Sequence, residues 1–183
     1  MIAALATVVC LATPAVVPVA APVVDWFRPP SCTWCAGNRG LEFAAEPGRR
    51  VVAPVSGTVA FVGPVGGVTY VVIRAAGGDG VNAVIGGIDA PSVGRGDEVT
   101  AGVMVGRAVG SLHLGFRIGP RREGRYVDPA PLLGLGRKPA RLVAHDPAPV
   151  SLARRPGHPI RSSTQRHCSV LPPVVASARG PGP

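Results

Sequence analysis

The sequence predicts an all-β protein: a compact antiparallel β-sandwich with an apolar leader before it and a disordered basic tail after it. Three observations carry this reading. Between residues 49 and 131, short β-branched runs alternate with tight turns, and no segment sustains a helical period. The chain has 25 Gly and 21 Pro among 183 residues, which supplies turn chemistry throughout. Aromatic residues are only 4% against a hydrophobic content of 46%, so Val, Ala and Leu must fill the core. The length suits one domain with appendages.

The elements follow in order. Residues 1–21 are rich in Ala, Val and Leu and end in Val19-Ala20-Ala21, small residues that suit signal-peptide cleavage. Pro14, Pro18 and the shortness of the run argue against a membrane-spanning helix. Residues 22–135 form the predicted β-domain. Within it, residues 51–62 alternate apolar and small side chains around a Ser56-Gly57 turn. Tyr70-Val71-Val72-Ile73-Arg74 is a β-branched strand, Gly77-Gly78-Asp79-Gly80 a turn, and residues 81–85 the next strand. Residues 96–106 read as tight turns around single buried valines. Residues 112–118 form the last core strand, and Tyr126-Val127-Asp128-Pro129 closes the domain. Residues 136–183 carry scattered Arg and many Pro with no alternating run long enough for a strand.

The net charge of +9, from 19 Lys and Arg against 10 Asp and Glu, favours polyanionic partners. Nucleic acid is excluded as the expected partner: there is no basic helix, stacking strip or zinc-finger spacing. Much of the excess charge lies in the tail, where a solvated basic segment accounts for it equally. Of the four cysteines, Cys10 lies in the leader and would be lost on cleavage. Cys32-Thr33-Trp34-Cys35 admits a redox pair, half a zinc knuckle or a small disulfide loop. Pro29-Pro30 precede it, no helical period follows, and no second such motif exists, so a local disulfide is favoured in an exported protein. The pairing of Cys32, Cys35 and Cys168 stays open.

Three blocks resemble the lysostaphin-type (LytM-like) zinc endopeptidases that cut peptidoglycan cross-bridges, in the variety common in actinobacteria. Asn38-Arg39-Gly40-Leu41-Glu42-Phe43 is similar to the family's opening motif, His-x-Gly-(Val/Ile)-Asp-(Leu/Phe). Val52-Ala53-Pro54-Val55-Ser56-Gly57-Thr58-Val59 and the later Gly96-Asp97-Glu98-Val99 resemble its β-turn scaffold. Ser111-Leu112-His113-Leu114-Gly115-Phe116-Arg117 with Tyr126-Val127-Asp128-Pro129 resembles its His-x-His strand and its Tyr-(Val/Ile)-Asp-Pro ending. The resemblance spans residues 26–133. Biotinyl and lipoyl carrier domains share the scaffold rhythm, but they need a lysine at a hairpin tip, and Lys138 lies outside the β-domain.

The resemblance implies a zinc site with three protein ligands, an open position and a base. His113 matches the second His of His-x-His. Glu42 stands for the ligand Asp, one methylene longer. Asn38 replaces the ligand His with a poor zinc donor. Ser111 replaces the base, and the central-strand His would fall near Gly86-Gly87. The predicted metal ligands are therefore His113 and Glu42, with zinc bound weakly or lost and no catalytic residue assigned. A histidine satisfied on a β-face and a strand-end charge are the plain alternatives for these two.

Arg117 and Arg39 flank the presumed groove as candidate substrate-binding residues, against the ordinary reading of surface arginines. Asp128 is explained by an Asx turn, and His145, His158 and His167 by solvated loops. The expectation is a monomeric, secreted or wall-associated and catalytically degenerate peptidase-like protein. It would bind peptidoglycan or wall peptides, or regulate a wall hydrolase, with no nucleic-acid partner and no membrane span. The alternative is an active zinc endopeptidase with an altered ligand set.

Overall fold

The computed structural model describes residues 7–11, 14–32, 34–77, 80–119, 124–135 and 167–171. Among them the secondary structure is entirely β, with no helix. The strands are β1 Thr7–Leu11, β2 Val23–Asp25, β3 Leu41–Ala44, β4 Arg50–Val52, β5 Gly57–Val65 and β6 Val68–Ala75. They continue as β7 Val81–Asp89, β8 Glu98–Val99, β9 Met104–Ile118, β10 Arg125–Val127 and β11 His167–Leu171. Nine of these make one antiparallel sheet in the order β2-β3-β9-β7-β6-β5-β8, with β4 and β10 also on β9.

Period-two alternation decides which face each side chain takes. Leu41 and Phe43 of β3, Val71 and Ile73 of β6, Ala83 and Ile85 of β7, and Leu112, Leu114 and Phe116 of β9 are all fully buried. These side chains form one core, closed over by Val51, Ala53, Val55, Val59, Val105 and Leu132. Each large one contributes about 1.5–3 kcal/mol by leaving water. The residues between them, Glu42, Tyr70, Val72, Arg74, Asn82, Val84, His113 and Arg117, face the other way.

The predicted Ser56-Gly57 turn is present and opens β5. A Cβ at Gly57 would stand 2.0 Å from the Arg74 carbonyl oxygen, so the strands close here only over a glycine. β9 is longer than its sequence suggests. Its first part, rich in Gly and single valines, reads as turns, yet Val51 pairs with Gly106 and Ile88 with Ala108. Two partner ladders hold this segment extended against its weak intrinsic preference. Where β7 crosses it, the register shifts between Gly86 and Ile88 and the sheet bends.

Two findings concern the ends of the chain. Residues 14–21, within the predicted signal peptide, lie against the β-domain. Val16 N donates to Pro54 O at 2.9 Å, Val52 N donates to Pro18 O at 2.8 Å, and Val19 is only 2% exposed. In the segment expected to be a disordered tail, His167–Leu171 is instead a strand. It pairs with β1 in register Cys10 to Cys168, and those cysteines form a disulfide. The partner strand lies 158 residues away, which is why no local pattern announces it. The other described part of the chain's cysteine chemistry is the local Cys32–Cys35 disulfide that the sequence favours. His145, His158 and the rest of 136–183 lie outside the described residues.

Candidate functional site

A groove of about 680 Å³, within the usual range for ligand sites, is lined from β5, β6, β7, β9 and β10 and from residues 37–39, the turn that leads into β3. Strand register arranges its side chains in rows. One row runs Tyr70, Gly86, His113, Glu42 across β6, β7, β9 and β3. Four residues along β9, another runs Arg74, Asn82, Arg117, Tyr126. Val72, Val84 and Gly115 lie between the two rows.

The structure brings His113 and Glu42 together as cross-strand neighbours, 22% and 29% exposed. Their side chains meet each other: Nδ1 of His113 lies 2.5 Å from Oε1 of Glu42. A carboxylate accepts, so Nδ1 carries the proton and Nε2 keeps its lone pair. The imidazole fits a notch between two glycines. A Cβ at Gly40 would come within 2.6 Å of its Cε1, and one at Gly115 within 3.2 Å of its Nε2. Ser111 Oγ donates to the second carboxylate oxygen of Glu42 at 3.4 Å, so both oxygens have partners.

Asn38, which stands where the resemblance puts a histidine ligand, is the one buried polar side chain among the described residues. Its Oδ1 accepts from Gly40 N at 3.1 Å and its Nδ2 donates to Asp25 O at 3.5 Å. Its backbone bridges Arg28 in both directions, at 2.8 and 2.9 Å. These bonds fix the turn leading into β3, a structural use of the amide. An ion pair between Arg28 and Asp25 closes the same corner, and the guanidinium's hydrogen bond holds the Asp25 carboxyl below its ordinary range. Asp128 makes the expected Asx turn, accepting from Ala130 N at 2.9 Å.

Gly86 lies directly opposite His113, which is the central-strand position expected to lack its imidazole. The space is filled from the neighbouring strand: a Cβ at Gly86 would come within 2.5 Å of the Tyr70 ring. Gly87 follows at φ 85°, where a Cβ would meet the Ser111 carbonyl oxygen at 2.3 Å. The donor chemistry therefore does not suit a three-ligand zinc site. Glu42 and His113 satisfy one another, Asn38 is engaged in its turn, and no cluster of three His, Cys, Asp or Glu occurs among the described residues.

Arg39 and Arg117 both line the groove. Arg117 Nε donates to Gly124 O at 3.2 Å, which fixes its guanidinium at the groove end. Sequence reasoning missed Tyr70, Arg74, Asn82 and Arg95, which share the groove. The alternation of Tyr70, Val72 and Arg74 on one strand was the available signal.

The architecture is an all-β antiparallel domain whose groove is lined by His113, with Glu42 bonded to that histidine from the neighbouring strand. A model of peptidase family M23 matches residues 36–129, just over half of the chain, and the chain belongs to that family. Members are typically zinc-dependent. Uncharacterized proteins of Mycobacterium tuberculosis and Mycobacterium bovis are 33% identical over 122 residues, covering 61% of this chain and 47% of theirs. The chain thus spans about half the length of these relatives. Among solved structures, the fold resembles a chain of the SpoIIQ–SpoIIIAH pore-forming complex, with a TM-score of 0.55 at 19% identity, covering 66% of this chain and 90% of that one. It also resembles a mutant catalytic domain of the prophage-encoded M23 protein EnpA from Enterococcus faecalis, with a TM-score of 0.51 at 23% identity, covering 60% and 89%. A further likeness, to LytU, has a TM-score of 0.52 at 21% identity, covering 61% and 83%. These likenesses carry the fold alone.

Proposed function

We propose that this chain is an exported, wall-associated member of family M23 that binds peptidoglycan peptides in its groove without hydrolysing them. The observation that carries the reading is the missing third donor: Asn38 stands at that position with its amide buried and bonded to Gly40 N and Asp25 O. Glu42 and His113 supply only two of the three protein ligands a catalytic zinc needs, and Nδ1 of His113 is bonded to Glu42 Oε1 at 2.5 Å. A zinc peptidase must also supply a base near the attacking water. Ser111 and Gly86 stand at the two non-ligand positions where the family resemblance calls for an imidazole, and neither residue can take a proton near neutral pH.

Export is supported by the apolar leader and by cysteine chemistry. Cys32 and Cys35, both beyond the leader, are paired, a state that persists in oxidising compartments. No helix among the described residues is long and apolar enough to cross a membrane. A regulatory role toward a wall hydrolase is a second use of the same groove. It is favoured by one likeness in particular, to a chain that forms part of a two-protein complex.

The test joins metal content to wall binding. The full chain, purified without chelator, is expected to hold far less than one zinc per molecule and to sediment with purified sacculi without releasing cross-bridge peptides. Stoichiometric zinc together with released peptides would instead establish an active enzyme with an altered ligand set. Failure to sediment would remove the wall assignment.

A further inference from the structure

We infer that the groove grips a short extended peptide by its free C-terminal carboxylate, held between Arg74 and Arg117 across Asn82. This rests on the reading of the groove as a peptide-binding site and specifies which peptides it takes.

The argument begins with charge. Arg39, Arg74, Arg95 and Arg117 all line the groove, and among its described lining residues there is no Asp or Glu. The nearby carboxylate of Glu42 is directed to His113 and Ser111. A concave site whose described lining carries one sign of charge concentrates ligands of the other sign. The floor is apolar, made by Phe61, Val72 and Val84, so the ligand must also offer carbon to cover it. A phosphate polymer has little apolar surface to do so, whereas a peptide has side chains.

Register then sets the polarity of the ligand. Arg74 and Arg117 both pair with Asn82, one from each flanking strand, so their backbones stand about 10 Å apart on either side of it. Asn82 is itself held by donating Nδ2 to Gly80 O at 3.0 Å, and Arg117 by donating Nε to Gly124 O. Two guanidinium groups flanking an ordered amide are suited to a carboxylate, which accepts planar, charge-assisted bonds. The His113–Glu42 pair lies four residues back along β9, about 13 Å away. An extended chain covers that distance in about four residues. A tetrapeptide anchored at the Arg74–Arg117 row would therefore lay its other end beside His113.

The experiment uses the full chain and two probes, tetraalanine acid and tetraalanine amide, in calorimetric titrations at low salt. The acid is expected to bind about tenfold or more tightly than the amide, the difference one charge-assisted bond makes. Arg74→Gln is expected to abolish that preference, and because Arg74 is exposed the variant retains its fold, checked by its melting temperature. Equal affinity for acid and amide, no binding of either at millimolar concentration, or displacement of the acid by equimolar inorganic phosphate would each overturn the inference. Sedimentation with sacculi but no preference for the acid overturns the carboxylate clamp alone. A preference for the acid without sedimentation overturns the wall assignment alone.

Discussion

The ring of Tyr70 occupies the space above Gly86, so that the residue opposite His113 on the central strand has no room for a side chain. A Cβ at Gly86 would stand 2.5 Å from Tyr70 Cε1 and 3.0 Å from its Cδ1 and Cζ. The loss of an imidazole here is matched by a phenol ring on the adjacent strand. The two positions are expected to be energetically coupled.

Gly86→Ala should destabilise the protein by roughly 1–3 kcal/mol, the range for overpacking a site that must shift a ring. The same change in a Tyr70→Ala background should cost much less. Urea denaturation of the four proteins measures the coupling. Additive costs would show that the ring does not govern the site.

Glu42→Ala should cost about 1 kcal/mol. A charge-assisted hydrogen bond is worth roughly 1.5–3 kcal/mol when sheltered, and partial exposure of both side chains reduces it. The sharper readout is nitrogen NMR of His113, whose Nδ1 proton should be protected in the native protein and exchange freely in the variant. An unprotected Nδ1 proton in the native protein would contradict the pairing.

Removing residues 1–21 should lower stability by about 2–4 kcal/mol. Burial of Val19 contributes roughly 1.5–2 kcal/mol and each backbone bond, Val16 to Pro54 and Pro18 to Val52, about 1 kcal/mol. Thermal and denaturant unfolding of the two lengths decides it. Equal stability would mean that this segment adds nothing to the fold and can leave as a signal peptide without loss.

Peptide mapping of the exported protein without reductant should recover Cys10 joined to Cys168, and Cys32 joined to Cys35. Recovery of a Cys168 peptide free of Cys10, with a mature N-terminus near Pro22, would show cleavage and leave β11 without its partner.

The Asp25 carboxyl should titrate below the ordinary aspartate range, and Arg28→Ala should return it there. Because the shift is downward, the stabilisation it reflects is present above the unfolded aspartate pKa of about 3.9 and is lost as pH falls through the folded value. A carbon NMR titration of Asp25 that is unmoved by the substitution would exclude the ion pair as its cause.

The β-domain was legible because its signals are local. Alternation in residues 70–74 and 112–118 assigns faces one residue at a time, and the Ser56-Gly57 turn marks a closure that only glycine permits. His113 and Glu42 were legible for a related reason, as ordered motifs on strands. That they bond to each other was not, since 71 residues separate them and strand register alone makes them neighbours. Arg74 and Arg95 went unnoticed because an exposed charge on a strand or loop is ordinary, and only the fold gathers four of them around one groove.

By itself, the sequence determined an all-β domain, the residue types that fill its core and the loss of the expected imidazoles, because side-chain type and two-residue periodicity are properties of the local chain. The tertiary structure alone decided that Glu42 satisfies His113, that Tyr70 fills the space over Gly86, and that β11 returns to β1. Each depends on which distant strands pair and in which register, a choice made by the packing of the whole sheet.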